Sequence, residues 1–280
     1  MELTKVIRES VKKAIDEDLQ GQPDITAMLI AEKRTASARV ITRENMTLCG
    51  QRWVDEVFRQ IDPKVKVSWN YNDGDEIDAD CVIFSLEGKA RSLLTGERTA
   101  LNFLQTLSGV ATVTHAYVTK LGESTTKLLD TRKTIPGLRI AQKYAVKCGG
   151  GHNHRMGLFD AFLIKENHIS ACGSIGEAIR AARAIAPESS VEIEVENITG
   201  LKEAIEAGAD IVMLDNFPLD RIREAVALNA GRLKLEVSGD VTLDNIGEIG
   251  NTNVDFVSVG ALTKHVRAIN LSMRFDMRIG

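Results

Sequence analysis

The chain has 280 residues, of which 26% are charged, and its formal net charge at pH 7 is −4. This length is enough for one large α/β domain, or for a barrel with a smaller domain appended to it. The slight acidic excess argues against a nucleic-acid-binding protein that relies on general electrostatic attraction, because such proteins usually carry a basic face.

The N-terminal part is predicted to form a small α/β domain. Residues 2–19 carry apolar side chains at three- and four-residue steps, which predicts an amphipathic helix. The stretches TASARVITR, KVKVSW and DCVIFSLEG then predict strands of a small mixed sheet, separated by turn signals. The N-terminus lacks the apolar segment of a signal peptide, and no stretch reaches the length of a membrane span, so we expect a cytoplasmic protein with no membrane partner.

The cysteines do not indicate a zinc ribbon or a dense disulfide framework. They are far apart in the sequence and form no CxxC pair, which fits a reducing cytosol. We expect all four to be buried packing residues without a further role: Cys49, Cys81, Cys148 and Cys172.

A long helix is predicted from Thr95 to about Leu121, where apolar residues recur with helical spacing and no proline intervenes. Thr95 is a good N-cap and Glu97 suits the positive end of the helix dipole, but an arginine in the first turn opposes that dipole. Local helix chemistry therefore does not explain Arg98. A bound anion would explain it, because the helix N-terminus and the guanidinium would then act on the same charge. A surface arginine in solvent is the alternative.

After this helix, apolar strands alternate with helical segments. The strand cores are KLLD, AFLIK, VEIEVEN, DIVMLDN, LKLEVSG and VDFVSVG. The alternation predicts a parallel α/β sheet. No glycine-rich fingerprint follows the first strand, which disfavours a dinucleotide-binding, doubly wound sheet and favours a closed or nearly closed α/β barrel.

Polar residues collect where these strands end. Barrel enzymes place their chemistry at the C-terminal ends of their strands, and charged groups there need compensation by mutual pairing or by a ligand. A single charged strand end could be only a loop residue, but several around one ring predict a functional site. The residues concerned are Arg132, Lys133, Lys165, Glu194, Asp215, Ser238, Gly239 and Gly260.

The segment CGGGHNHRMG, residues 148–157, has three interpretations. It could be a glycine turn followed by solvated polar residues. His152 and His154 could bind a metal, although the partner cysteines and carboxylates of a zinc site are missing at the usual spacing. Alternatively, glycine amides and Arg155 could bind a carboxylate or a phosphate.

Two further features point to a phosphorylated ligand. Glu194 and Asp215 end successive strands, and paired acids can hold a divalent metal or act as acid and base, unless they only pair with neighbouring lysines. The small residues of EVSGD and SVGALT favour a phosphate bound on backbone amides, as barrels often do after their closing strands. Simple βα turns would be the favoured interpretation if either segment stood alone.

Together, the motifs TGERTALNFLQTLSGVAT, DTRKTIPGLR, GGGHNHRMGLFDAFLIKENH, DIVMLDNF and VDFVSVGALTKHV resemble the quinolinate phosphoribosyltransferase family. The resemblance implies an N-terminal α/β sandwich at residues 1–108 and an incomplete parallel α/β barrel at residues 109–267. A C-terminal tail at residues 268–280 would pack with the first domain. It also implies a homodimer whose sites lie between one subunit's barrel and its partner's N-terminal domain.

The resemblance assigns roles by position. Quinolinate would be bound by Arg132, Lys133, His154, Arg155 and Lys165, with Arg98 reaching in from the partner. Phosphoribosyl pyrophosphate would be bound by Glu194, Asp215, Ser238, Gly239, Asp240, Val259, Gly260 and Ala261. Catalysis would rest on Lys133, Lys165, Glu194 and Asp215, the last two lying near Mg²⁺. Asp240 departs from the pattern, because many relatives carry a second glycine there.

The implied reaction joins the phosphoribosyl group to the pyridine nitrogen of quinolinate and releases pyrophosphate and CO₂. Three alternatives remain from the residues themselves. One is a phosphoribosyltransferase for another pyridine carboxylate. Another is a Schiff-base barrel aldolase with Lys133 or Lys165 as nucleophile. The third is a non-catalytic anion sensor that uses the same cationic pocket.

Overall fold

In the computed structural model, which describes residues 3–276, the chain forms two compact units. The first contains residues 3–115, 140–150 and 265–276, and the second contains residues 116–139 and 151–264. The predicted α/β class is confirmed, with a small sheet in the N-terminal part and a parallel sheet in the C-terminal part. The predicted domain boundary after residue 108 falls inside one continuous helix.

The N-terminal part alternates helices with short strands. Its elements are α1 (Leu3–Leu19), a 3₁₀ helix (Ala27–Leu29), β1 (Thr35–Thr42), β2 (Met46–Thr47), α2 (Gln51–Ile61), β3 (Lys66–Trp69), β4 (Glu76–Ile77), β5 (Val82–Lys89) and α3 (Ala90–Leu121). The stretches predicted as strands form β1, β3 and β5. Residue 2 of the predicted first helix lies outside the described residues.

The C-terminal part repeats strands and helices. Its elements are β6 (Lys127–Leu129), α4 (Arg139–Cys148), β7 (Phe162–Ile164), α5 (Glu166–Cys172), α6 (Ile175–Ile185), β8 (Val191–Val195), α7 (Ile198–Ala207), β9 (Ile211–Asp215), α8 (Leu219–Asn229), β10 (Lys234–Ser238), α9 (Ile246–Gly250), β11 (Phe256–Ser258), α10 (Ala261–Lys264) and β12 (Leu271–Asp276). Every strand core predicted from the sequence contributes one strand, from β6 to β11.

The larger sheet of the first unit is antiparallel, in the order β12-β1-β5-β3, and β2 pairs with β4 in a separate two-stranded sheet. Alternate residues of β1 are buried, as expected for a strand with one face on a core. Trp53 and Phe58 of α2 are buried, as is Phe84 of β5. β12 pairs with β1, so residues 271–276 of the predicted tail belong to this sheet. Residues 277–280 of that tail lie outside the described part of the chain.

Helix α3 begins at Ala90 and not at the predicted Thr95. Strand β5 ends at Lys89 and leads directly into residues with good helix propensity, so no separate N-cap precedes Thr95. The Thr95 hydroxyl donates instead to Oδ2 of Asp24, at 3.1 Å. Arg98 therefore lies beyond the first turn. The sequence argument that it opposes the helix dipole is wrong, because the dipole acts mainly within the terminal turn.

The second unit contains a six-stranded parallel sheet in the order β7-β8-β9-β10-β11-β6. Side-chain caps at Ser174 and Asn197 begin α6 and α7, each accepting from a backbone N–H three residues on. Within residues 3–276 no strand ladder joins β6 to β7, so the ring is open, as expected for an incomplete barrel. A single parallel bridge between Leu129 and His152 extends the β6 edge.

The cysteines differ from the prediction. All four are free thiols, but only Cys49 is buried, and Cys172 is exposed. Cys172 ends α5, a short helix with no buried residue, so it has no core in which to pack. Of the helices formed by residues 3–276, none has both the length and the apolar composition that crossing a membrane requires.

Candidate active site

The register of the parallel sheet aligns the C-terminal ends of its strands. Ser238 of β10 pairs with Asp215 of β9, and Glu194 of β8 pairs with Met213, two positions before Asp215. Paired residues on adjacent strands point to the same face, and side chains alternate along each strand. Glu194, Asp215 and Ser238 therefore share one face of the sheet.

Two lysines lie close to these acids. Lys165 follows β7 as the N-cap residue of α5, and its ammonium forms an ion pair with Glu194. Burial raises the pKa of Asp215, the charge of Glu194 raises it further, and the charges of Lys165 and Lys133 lower it. The structure thus brings together the residues predicted to take part in catalysis: Lys133, Lys165, Glu194 and Asp215.

The loop after β6 packs against the turn after β11. The backbone carbonyl of Lys133 accepts a hydrogen bond from Oγ1 of Thr263 at 2.9 Å, and the Lys133 N–H donates to Oγ1 of Thr131 at 3.0 Å. A Cβ at Gly260 would lie 2.9 Å from Cδ of Lys133. Any larger residue at position 260 would therefore displace the Lys133 side chain.

Arg132 and Arg155 lie close enough to repel each other. Burial lowers the pKa of Arg155, the charge of Arg132 lowers it further, and Glu192 and Asp160 oppose both effects. Nη1 of Arg155 donates to the carbonyl of Ala161 at 3.3 Å. Nε of Arg132 is buried and has no hydrogen-bond partner among the described residues. An anionic ligand would stabilise neighbouring cations that retain a buried, unused donor.

Asp130 anchors the segment that carries His154 and Arg155. It is fully buried, directly after β6. Its Oδ1 accepts from the backbone N–H of His154 at 2.9 Å, and its Oδ2 accepts from Nδ2 of Asn153 at 2.6 Å. The end of β6 therefore holds the neighbouring HNHR segment at Asn153 and His154.

Both ring nitrogens of His154 are engaged within the second unit. Nδ1 accepts from the backbone N–H of Arg155 at 2.7 Å. Nε2 lies 2.9 Å from Oε2 of Glu192 and 3.5 Å from Oε2 of Glu236. Because Nδ1 accepts, this network assigns the ring proton to Nε2. The direct contact of His154 with quinolinate stays a prediction.

Sequence reasoning missed Glu192 and Glu236, although a signal was present. Each lies two positions before a predicted site residue, Glu194 or Ser238, and strand side chains alternate with a period of two. A charged residue inside an apolar strand core, on the same face as a charged strand end, indicates that the polar site extends into the sheet. Asp130 was missed in the same way, as the polar end of the LLD run.

The predicted phosphate residues form two separate turns. Gly239 has a φ of 89°, and a Cβ there would lie 1.9 Å from Oδ1 of Asn216, so position 239 requires glycine. Asp240 is exposed and has a φ of 27°, a left-handed conformation that also favours glycine. Both residues line a cleft of about 290 Å³ beside β10. Of residues 3–276, none of those predicted to bind quinolinate lines this cleft.

The second turn joins β11 to α10. Val259 is buried, and its N–H donates to the carbonyl of Leu129 at 3.0 Å. Gly260 follows it beside Lys133, and Ala261 is the first residue of α10. Arg98 is an exposed residue of α3 in the first unit, and its reach into a partner subunit stays a prediction.

Within the described residues, two clusters place three metal-ligating side chains within reach of one another. These are Cys49, Asp73 and Cys148 in the first unit, and His154, Glu192 and Glu236 in the second. The alternative of a metal site on His152 and His154 is not supported, because His152 is exposed and His154 faces the glutamates. Glu194 and Asp215 fit Mg²⁺, which usually takes one or two carboxylates together with substrate phosphates.

Two family models match almost the whole chain. The N-terminal domain of quinolinate phosphoribosyl transferase matches residues 24–108, and its C-terminal domain matches residues 110–274. Among curated relatives, a probable carboxylating nicotinate-nucleotide pyrophosphorylase of Bacillus subtilis is 42% identical, over 90% of this chain and 88% of its own. The carboxylating enzyme of Mycobacterium leprae is 39% identical, over 95% and 96%.

Solved structures agree with these matches. A nicotinate-nucleotide pyrophosphorylase from Francisella tularensis superposes with a TM-score of 0.95 at 49% identity, covering 99% of this chain and 98% of its own. NadC from Streptococcus pyogenes has a TM-score of 0.95 at 39% identity and covers 99% of both chains.

Proposed function

This chain belongs to the quinolinate phosphoribosyltransferase family, and we propose that the strand-end residues of its second unit carry out the reaction of that family. The enzyme transfers a phosphoribosyl group from phosphoribosyl pyrophosphate to quinolinate with loss of CO₂. The products are nicotinate mononucleotide and pyrophosphate, in the biosynthesis of NAD.

The arrangement of Arg132 and Arg155 carries the assignment of the quinolinate site. Quinolinate has two adjacent carboxylates, and two neighbouring guanidinium groups with a buried, unused Nε donor suit such a dianion. Arginine forms paired hydrogen bonds to carboxylates, so the ligand would also relieve the repulsion between the two cations. Lys133 follows β6 and Lys165 follows β7, the two edge strands of the sheet, and both add positive charge.

We assign Glu194 and Asp215 to the phosphoribosyl donor. They are the acidic part of an otherwise cationic ring, and their carboxylates face Lys165 and Lys133. Bound Mg²⁺ would neutralise pyrophosphate charge as that group departs. The protein contributes position and electrostatic stabilisation of the charge that develops at the anomeric carbon.

The bond changes follow from this placement. The pyridine nitrogen donates its lone pair to the anomeric carbon, and the bond from that carbon to the pyrophosphate oxygen breaks. The ring nitrogen becomes quaternary and positively charged. The bond between C2 and its carboxylate then breaks, CO₂ leaves, and the electron pair remains at C2 until a proton replaces the lost group. Arg132 and Arg155 hold the carboxylates in register for both steps.

The assembly is proposed from Arg98. A homodimer in which each subunit supplies Arg98 to its partner's site requires Arg98 to be accessible, and it is an exposed residue of α3. The free thiols of all four cysteines support a reducing compartment such as the cytoplasm.

Two rivals account for fewer residues. A Schiff-base aldolase needs an uncharged amine on Lys133 or Lys165, whereas Lys165 is held in an ion pair with Glu194 and the positive charge of Lys133 acts on Asp215. A non-catalytic sensor of anions would have no use for the acids Glu194 and Asp215 beside the cations.

Turnover tests the proposed function. Purified protein would be given Mg²⁺ and phosphoribosyl pyrophosphate with either quinolinate or nicotinate, and nicotinate mononucleotide and CO₂ would be followed. Product and CO₂ from quinolinate, with no product from nicotinate, are expected. Equal use of nicotinate would indicate a phosphoribosyltransferase for another pyridine carboxylate. No product from either acid in folded protein would reject the proposed function.

A further inference from the structure

Two buried glutamates lie on the same sheet face as the strand-end acids. Each comes two residues before the polar residue at the end of its strand. Glu192 of β8 is 4% exposed and Glu236 of β10 is 1% exposed. Oε1 of each is buried without a hydrogen-bond partner in the part of the chain that the structure describes. Their Oε2 atoms both face Nε2 of His154, at 2.9 Å and 3.5 Å. Nothing in the proposed mechanism uses these carboxyl groups.

The charges of this cluster do not balance unless a proton is added. His154 accepts at Nδ1 and therefore carries one proton, on Nε2, which leaves the ring neutral. Two ionised carboxylates beside a neutral imidazole would be a doubly charged, buried group, and such an arrangement is strongly unfavourable. One carboxyl group must hold a proton. That proton gives the pair a hydrogen bond that two carboxylates cannot form.

The proton belongs on Glu236. Burial and then the charge of Glu192 raise the pKa of Glu236 to about 8. Glu192 is the better anion, because it is nearer to Nε2 of His154 and its charge also acts on Arg155. The groups that face Glu236 are thus Glu192 on β8, Ser258 on β11 and His154.

We propose that Glu236 is a neutral carboxylic acid that donates to ionised Glu192, and that this acid pair, through His154, positions Arg155 for a carboxylate of the substrate. The inference rests on the proposed function, because it needs the anion site at Arg132 and Arg155. Two hydrogen bonds make the connection: Glu192 accepts from Nε2 of His154, and Nδ1 of the same ring accepts from the backbone N–H of Arg155. Glu192 and Glu236 are positioning residues and do not touch the substrate.

A proton suits this cluster better than a divalent cation. The same three side chains could hold a metal ion. A metal ion would require both glutamates to be ionised and Nε2 to lose its proton. The cation would also be repelled by the nearby positive charges of Arg155 and Arg132. A neutral acid avoids that repulsion and leaves a single negative charge behind the substrate anion.

The inference predicts a pH dependence specific to one substrate. When Glu236 loses its proton at alkaline pH, a second negative charge appears behind Arg155 and opposes binding of the quinolinate dianion. The KM for quinolinate should rise roughly tenfold between pH 7 and pH 9, and the KM for phosphoribosyl pyrophosphate should not follow it. In Glu236→Gln, which cannot ionise, this alkaline rise should be absent.

Glu192→Gln is the matched variant, because it removes the charge that His154 requires. At pH 7 it should raise the KM for quinolinate at least tenfold more than Glu236→Gln does. Identical alkaline profiles in wild type and Glu236→Gln would overturn the inference, as would equal effects of the two glutamine variants at pH 7. If Glu192→Gln does not fold, the pH dependence of the quinolinate KM in Glu236→Gln tests the inference by itself.

A second readout separates this inference from the proposed function. Carbon-13 labelling of the glutamate carboxyl groups, with Glu236→Gln to assign the signal, would show a protonated acid at pH 7 whether or not the protein turns over quinolinate. An ionised Glu236 at pH 7 in a protein that does turn over quinolinate would reject the acid pair and leave the function intact.

Discussion

Oδ1 of Asp130 accepts a hydrogen bond from the backbone N–H of His154 at 2.9 Å, and this bond ties the loop of Arg132 to the segment of Arg155. The two arginines come from segments separated in the sequence by helix α4. A single buried carboxylate, that of Asp130, thus links the two segments at the end of β6. The spacing of the cationic site therefore depends on Asp130 as well as on the cations.

Asp130→Asn should weaken quinolinate binding, although Asp130 is not one of the residues assigned to contact quinolinate. The asparagine would present an amide where Asp130 now accepts from Nδ2 of Asn153, which leaves two donors facing each other. Loss of a buried, charge-assisted hydrogen bond costs about 1.5–3 kcal/mol. We expect a lower melting temperature and a raised KM for quinolinate. A melting temperature and kinetics equal to those of wild type would show that Asp130 does not set the site.

The stability of wild type should depend on pH through Glu236. Its ordinary pKa is 4.5, and in the folded protein it is raised to about 8. Between these values the folded chain holds a proton that the unfolded chain has released, so the free energy of unfolding falls as pH rises from about 4.5 to about 8. Thermal melts across this range should show the decline in wild type and a smaller decline in Glu236→Gln. Parallel curves would contradict a raised pKa.

Asp240 should disfavour phosphate binding at its turn. Its carboxylate is exposed beside Gly239, and its φ of 27° suits glycine. Exposed unit charges close to each other interact by about 1 kcal/mol. Asp240→Asn removes the charge and keeps the side-chain length, and it should lower the KM for phosphoribosyl pyrophosphate a few-fold. Asp240→Gly should also lower this KM, and it should remove the strain of the left-handed backbone conformation at position 240. An unchanged KM in both variants would place the phosphates elsewhere.

Arg98 and Arg132 should complement each other across a homodimer. At quinolinate concentrations near the wild-type KM, the Arg98→Ala and Arg132→Ala variants should each retain little activity. If each site combines one subunit's Arg132 with its partner's Arg98, mixed dimers contain one intact site. Random exchange of subunits should then restore about one quarter of wild-type activity. The variants would be mixed, exchanged under mild denaturant and assayed. No recovery in dimers shown to have exchanged would place Arg98 and Arg132 in the same subunit's site, or Arg98 outside it.

The sequence predicted the parallel sheet well because its signals are local. Each strand core of the second unit is a short apolar run, and the residues at its end follow from the alternation of strands and helices. The predicted start of α3 was wrong because Thr95 is a residue type that commonly caps helices. Its hydroxyl instead contacts Asp24, a residue distant in the sequence, and no local pattern indicates that contact.

The strand-end residues were likewise visible to sequence reasoning, but what lies behind them was not. Glu192 and Glu236 come from different strands, and their meeting at His154 depends on strand order and register. No local pattern specifies that contact. The anchoring of His154 and Asn153 by Asp130 depends in the same way on β6 lying beside the HNHR segment.

The central claim is that Arg132 binds quinolinate and Glu194 serves the phosphoribosyl donor. Steady-state kinetics of Arg132→Ala and Glu194→Ala, with both substrates varied, tests it most directly. Loss of a buried charge-assisted contact corresponds to a change of about 10- to 150-fold. Arg132→Ala should raise the KM for quinolinate by such a factor, with a smaller effect on the phosphoribosyl pyrophosphate KM. Glu194→Ala should show the reverse. Unchanged quinolinate kinetics in folded Arg132→Ala protein would contradict the assignment of the two arginines as the dianion site.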